Sequence, residues 1–134
     1  MRPVRTEAAP APVAGAPYSQ AVAIDASDGG LVFVSGQVPI DPATGALVAD
    51  DIGAQTTRCL AHVEAILRQA GSGLDRVVKT TIYLAHLDED FAAMNEAYRA
   101  GFGEHAPARA TVGVASLPLG ARVEIEAVAT VAAG

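Results

Sequence analysis

The stretch PARATVGVASLPLGARVEIE, residues 107–126, reads as two strands joined by a turn. From Arg122 to Val128 the side chains alternate, with Val123, Ile125 and Ala127 on one side and Glu124 with Glu126 on the other. Arg109 opens the preceding run, ARATVGVAS, directly after Pro107 and Ala108. The two runs are candidate neighbours in a sheet, an arrangement that brings Arg109 and Glu124 together. A guanidinium is a planar fork of donors that holds a carboxylate through two parallel hydrogen bonds. With an acid nearby to steer water or a proton, the pair points to chemistry on a small carboxylate. A plainer reading stands beside it: an Arg and a Glu on adjacent strands often form a surface ion pair that contributes little.

Outward from this stretch, Gln20–Asp25 and Leu31–Ser35 read as short strands around a hairpin turn at Ser27-Asp28-Gly29-Gly30. Gly36 ends the second strand, a position where glycine often marks the close approach of a ligand or another backbone. Asp50 or Asp51 is placed to cap a helix running to about Ala70. Its apolar stripe is Ile52, Cys59, Leu60, Val63, Ile66, Leu67 and Ala70, and Gly71 ends it. Arg76–Leu84 is a β-branched strand, and a second helix spans about Asp90 to Phe102. The last two strands cover about 108–116 and 121–131. The order β-β-α-β-α-β-β implies an α+β sandwich, one mostly antiparallel sheet with two helices on one face. The chain reads as one domain over residues 1–134, with residues 1–14 a mobile arm.

A chain of 134 residues can bury a real core. Half of it is hydrophobic, yet it has no Trp, three Tyr and three Phe, so Ala and Val must carry the interior. Nine basic against fifteen acidic residues give a net charge of −6, which argues against a nucleic-acid partner. A small anionic substrate responds to a local cation more than to net charge. The single cysteine, Cys59, allows no internal disulfide and falls on the buried stripe of a helix, consistent with a reduced cytoplasm. His62, His86 and His105 lie in different segments without metal-ligand spacing, so no metal is expected. His105 stands open as an acid or base, or as an ordinary loop residue. No apolar stretch reaches the length of a membrane span, and the opening residues lack the apolar core of a secretory signal. The expected location is therefore cytoplasmic.

Three further features bear on a site. Glu124, Glu126, Thr130, Thr81 and Tyr83 share a sheet face that is either solvated or a wet subunit boundary. Asn95 sits within the Phe91, Met94, Tyr98, Phe102 stripe of the second helix, where an amide needs partners: either a loop backbone or a ligand. Tyr18 follows Pro17 and is suited to wall a pocket with its ring, or to serve as a plain strand-edge aromatic.

These blocks, taken together, resemble the Rid family, the YjgF-type reactive intermediate deaminases. The resemblance is carried by Pro107-Ala108-Arg109, the Leu117-Pro118 turn and Val123-Glu124-Ile125. Pro17-Tyr18-Ser19-Gln20-Ala21, Val34-Ser35-Gly36-Gln37, Asp41-Pro42 with Thr44-Gly45, Val78-Lys79-Thr80-Thr81 and Met94-Asn95 match in the same order. It covers roughly residues 15–129. The resemblance implies a chorismate-mutase-like fold, a homotrimer with sites at the subunit boundaries, and no cofactor. It implies hydrolysis of short 2-imino acids such as 2-iminopropanoate and 2-iminobutanoate, or, in a non-catalytic alternative, sensing of small 2-oxo acids. Arg109 and the Thr111 N–H would bind the substrate carboxylate, and Glu124 would act on water. Tyr18, Ser35, Gly36 and Asn95 would line the pocket, while Glu126 is left outside it. Two departures stand out: Ala16 where the family usually has glycine, and Leu119 where lysine is frequent.

Overall fold

The computed structural model describes residues 1–12, 16–27 and 29–132. Among these residues six strands form one sheet: β1 (Arg2–Val4), β2 (Ala21–Ile24), β3 (Gly30–Gln37), β4 (Val77–Leu84), β5 (Ala108–Gly113) and β6 (Val123–Val131). Their spatial order is β1-β2-β3-β6-β4-β5, antiparallel throughout except for the parallel pair β4–β5. Helices α1 (Ile52–Gln69) and α2 (Leu87–Phe102) pack on one face. Between the layers lie Val32, Val63, Ile66, Leu67, Ile82, Leu84, Met94, Val123 and Ile125, all completely buried. The α+β sandwich expected from the element order is the fold observed, with one strand more than expected.

Helix α1 starts where Asp51 Oδ2 accepts from the Ala54 N–H at 2.8 Å. It stops at Gly71, whose φ of 85° suits a residue without a side chain. There the Ser72 N–H reaches Leu67 O and the Gly71 N–H reaches Arg68 O, closing the last carbonyls. Helix α2 begins at Leu87, earlier than expected. No side chain caps it, but Asp88, Glu89 and Asp90 in its first turn favour the positive end of the helix dipole. Asp90 is buried and grips Arg122 through two bonds, Oδ2 to Nε at 3.0 Å and Oδ1 to Nη2 at 2.5 Å. That grip ties the start of α2 to the approach to β6.

Two expectations are corrected. Strands β5 and β6 are not neighbours, because β4 runs between them. Helix α2 acts as the crossover of a β4-α2-β5 unit, which sets β5 parallel beside β4. The 114–122 turn then carries the chain past β4 to β6. The expected mobile arm holds structure: Arg2–Val4 pairs with β2, and Val4 and Ala9 are buried. Gln20, buried under this segment, accepts from the Thr6 N–H and donates to the carbonyls of Thr6, Ala9 and Pro10. A proline-rich segment can be held this way because an amide side chain supplies the partners its backbone lacks in a ladder. Residues 13 and 14 of the arm, and Asp28 of the hairpin turn, lie outside the described residues.

Candidate functional site

One half of the site sits on the helix side of the sheet edge. Arg109 opposes Thr80 across β4–β5, and its guanidinium carbon lies 5.0 Å from the Tyr98 ring centroid and 5.8 Å from that of Phe91. Phe91, on the apolar stripe of the second helix, is 40% exposed and forms, with Tyr98, an aromatic rest for the cation. Tyr98 is fixed by a 2.7 Å hydroxyl bond with Thr80. Among the described residues no carboxylate pairs with Arg109, so the surface ion-pair reading falls. A cavity of about 460 Å³ opens here, lined by Asn95, Tyr98, Arg99, Phe102, His105 and Arg109 among others. Asn95 Oδ1 is buried without a hydrogen-bond partner, and so is Thr111 Oγ1. Buried polar atoms are ordinarily satisfied, which makes these two candidates for a ligand or water.

Strand β5 is also the free edge of the sheet. Val114 N–H donates to Leu84 O, and successive N–H groups along a strand alternate in direction. The Thr111 N–H, three residues earlier, therefore points away from β4, off the edge. His105 serves structure: its Nε2 bonds Val77 O at 2.6 Å, anchoring the loop before β5.

The other half lies on the opposite face. Glu124 opposes Tyr83 across β4–β6, and its neighbours Val123 and Ile125 point into the core. On its other side β3 carries a bulge: Val34 pairs with Ala127 but Gln37 with Ile125, so Ser35 and Gly36 share the space of one residue. Ser35 Oγ donates to Ser19 O at 2.6 Å, which pins the bulge to the segment before β2. A Cβ at Gly36 would meet Glu124 Oε2 at 2.4 Å, so only glycine lets the carboxylate lie against this backbone. Tyr18, Ser35, Gly36, Glu124 and Glu126 surround a cleft of about 410 Å³. Burial, and then the charge of Glu126, push the Glu124 carboxyl above the ordinary glutamate range. Glu126, left outside the pocket by sequence, lines it and accepts from the Tyr83 hydroxyl at 2.7 Å.

The structure thus gathers Arg109, Asn95 and Thr111 at one place, and Tyr18, Ser35, Gly36 and Glu124 at another. The intervening strand β4 and the two faces of the sheet keep the groups apart within one chain. Ala16 is not left-handed, so its departure strains nothing, whereas Leu119 has φ 59° in the turn beside the cleft. Cys59 is fully buried with its thiol pushed up by burial and then by the Glu124 charge, a core residue and not a nucleophile. Among the described residues no cluster of His, Cys, Asp or Glu is placed to hold a metal, and no helix is long and apolar enough to cross a membrane.

The family model described as endoribonuclease L-PSP matches residues 6–131. A RutC family protein of Pyrococcus abyssi is 49% identical over 124 residues, covering 92% of each chain. The 2-iminobutanoate/2-iminopropanoate deaminase of Salmonella typhimurium is 45% identical over 129 residues, 94% of each chain. Among solved structures, the Rid family protein YyfA of Yersinia pestis, described as of unknown function, superposes with a TM-score of 0.87 at 42% identity, covering 97% of this chain and 98% of the other. The chain belongs to the Rid/YjgF family, which includes imine deaminases.

Proposed function

We propose that this protein hydrolyses short 2-imino acids to 2-oxo acids and ammonia, as a cytoplasmic homotrimer whose sites join the Arg109 half of one protomer to the Glu124 half of its neighbour. The observation that carries the reading is the division itself. An unpaired guanidinium on one face and a carboxyl poised to exchange protons on the other are each incomplete, and closed ring symmetry supplies what each lacks. The Arg109 fork, with the outward Thr111 N–H, holds the substrate carboxylate and orients the C=N bond. Glu124 takes a proton from water as the oxygen adds to the imine carbon and returns it to nitrogen. It then accepts the remaining hydroxyl proton as the C=O bond forms and the C–N bond breaks to release ammonia. A protonated imine is already electrophilic, so no covalent nucleophile is required. The family model's description names a ribonuclease; nine basic against fifteen acidic residues disfavour that chemistry here.

The test generates 2-aminoacrylate in situ with a serine dehydratase and follows pyruvate. Added protein should release pyruvate faster than spontaneous hydrolysis does. Arg109→Ala and Glu124→Gln should each be inactive alone. Co-refolded one to one, they should recover roughly a quarter of wild-type activity, the share of boundaries in a randomly mixed ring that join two unaltered halves. Protein that binds pyruvate without accelerating its release is a sensor, and the deaminase reading then fails.

A further inference from the structure

We propose that Glu126, pinned by the Tyr83 hydroxyl, is a positioning residue that governs proton exchange at Glu124. The inference rests on the deaminase reading for its catalytic meaning, and on geometry for its existence. Glu124 and Glu126 are two apart on β6, so they share a face, and both line the same cleft. Tyr83 stands directly across from Glu124, yet its hydroxyl donates to Glu126 Oε1 at 2.7 Å. The phenol therefore reaches diagonally and fixes the second carboxylate within the cleft that the first also lines. Both carboxylates hold the Tyr83 proton in place, since that hydroxyl bond and their charges push the phenol above its ordinary range.

Among the described residues of one chain no cation pairs with either glutamate. The neighbour's Arg109, which the proposed assembly brings to the site, acts on wild type and variants alike. Strand β3 contributes no charged residue, and neither does the Leu117–Ala121 turn. On β4, Lys79 opposes Val128 and shares a separate hollow with Thr81 and Glu126, but it forms no ion pair with either glutamate. Arg122 is committed to Asp90 and Asp50. Tyr18 lines the cleft, and the Cys59 thiol lies beneath the strand against Val123 O. A like charge held close disfavours ionisation, so Glu126 keeps the Glu124 proton on at higher pH than burial alone would. A carboxyl tuned upward in this way is a better match for taking a proton from water and returning it to a departing amine.

The experiment titrates Glu124 in the substrate-free, full-length protein by NMR, with carboxyl-labelled glutamate and the resonance assigned by its loss in Glu124→Gln. In Glu126→Gln the Glu124 midpoint should move down. In Glu126→Asp, which keeps the charge, it should stay near wild type, and Tyr83→Phe, which frees Glu126, should fall between. The acid limb of kcat/KM for 2-iminopropanoate should follow the same order, with a severalfold lower plateau in Glu126→Gln. Coincident wild-type and Glu126→Gln titrations would overturn the proposal, as would equal shifts in the Gln and Asp variants. A shifted titration in a protein without turnover would uphold the pair and reject the deaminase reading.

Discussion

At Arg109 the side chain lies against two aromatic faces with its hydrogen-bonding edge uncommitted, a cation stored flat and ready. Arg109→Lys keeps the charge but loses the planar fork. Deaminase kcat/KM should fall about ten- to a hundredfold, the effect of losing ~1.5–3 kcal/mol of charge-assisted bonding, while light scattering shows the assembly unchanged. Glu124→Gln should lower turnover and leave 2-oxo acid binding nearly intact, because the amide keeps the shape and cannot accept the proton. It should also stabilise the protein. With its folded value above the unfolded one, Glu124 in the folded chain holds a proton that the unfolded chain has released, so its contribution falls as pH rises through that window. Calorimetry should find Glu124→Gln melting above wild type at about pH 7, with the difference gone below the ordinary glutamate range. Both residues were legible in the sequence, because a strand's alternation announces an outward Glu and the Pro-Ala-Arg motif announces the Arg. Glu126 and Tyr83 were not paired there, since their meeting depends on the β4–β6 register, which no local pattern encodes.

Among the elements, the opening segment depends on one side chain. Gln20→Ala removes four hydrogen bonds to residues 6–10 and leaves buried backbone groups bare. We expect a loss of about 1–3 kcal/mol, with hydrogen exchange rising over residues 1–10 before the rest of the sheet. The 118–120 turn tells the opposite story. Leu119 is 60% exposed and left-handed, a conformation that costs a branched side chain about 1–2 kcal/mol. Leu119→Asn should raise the denaturation midpoint by a corresponding amount, because asparagine tolerates that region and little apolar burial is lost. Sequence pattern found α1 closely, since a capping Asp, a buried stripe and a terminal Gly are all local signals. It missed β1, whose three residues are too few to show alternation. It also offered β5 and β6 as candidate neighbours, whereas strand order follows from how α2 crosses the sheet and not from adjacency in the chain.

For the whole molecule, the exposed outer face carries Ile24, Leu31 and Phe33 together with the Glu124 cleft, a mixture of apolar and polar groups suited to burial against copies of the chain. Sedimentation or light scattering at working concentration should find a homotrimer; a stable monomer would leave each half-site facing water and sink the proposed assembly. The division of the site between the two faces of one sheet has a further consequence for dosage. In the proposed assembly a solitary chain would own two unfinished halves and no active centre, so catalysis would belong to the contact and not to the polypeptide. Specific activity should therefore collapse on dilution through the dissociation range and return on concentration, as mass action requires. Output would rise more steeply than expression at low abundance, and newly made chains would stay silent until they met.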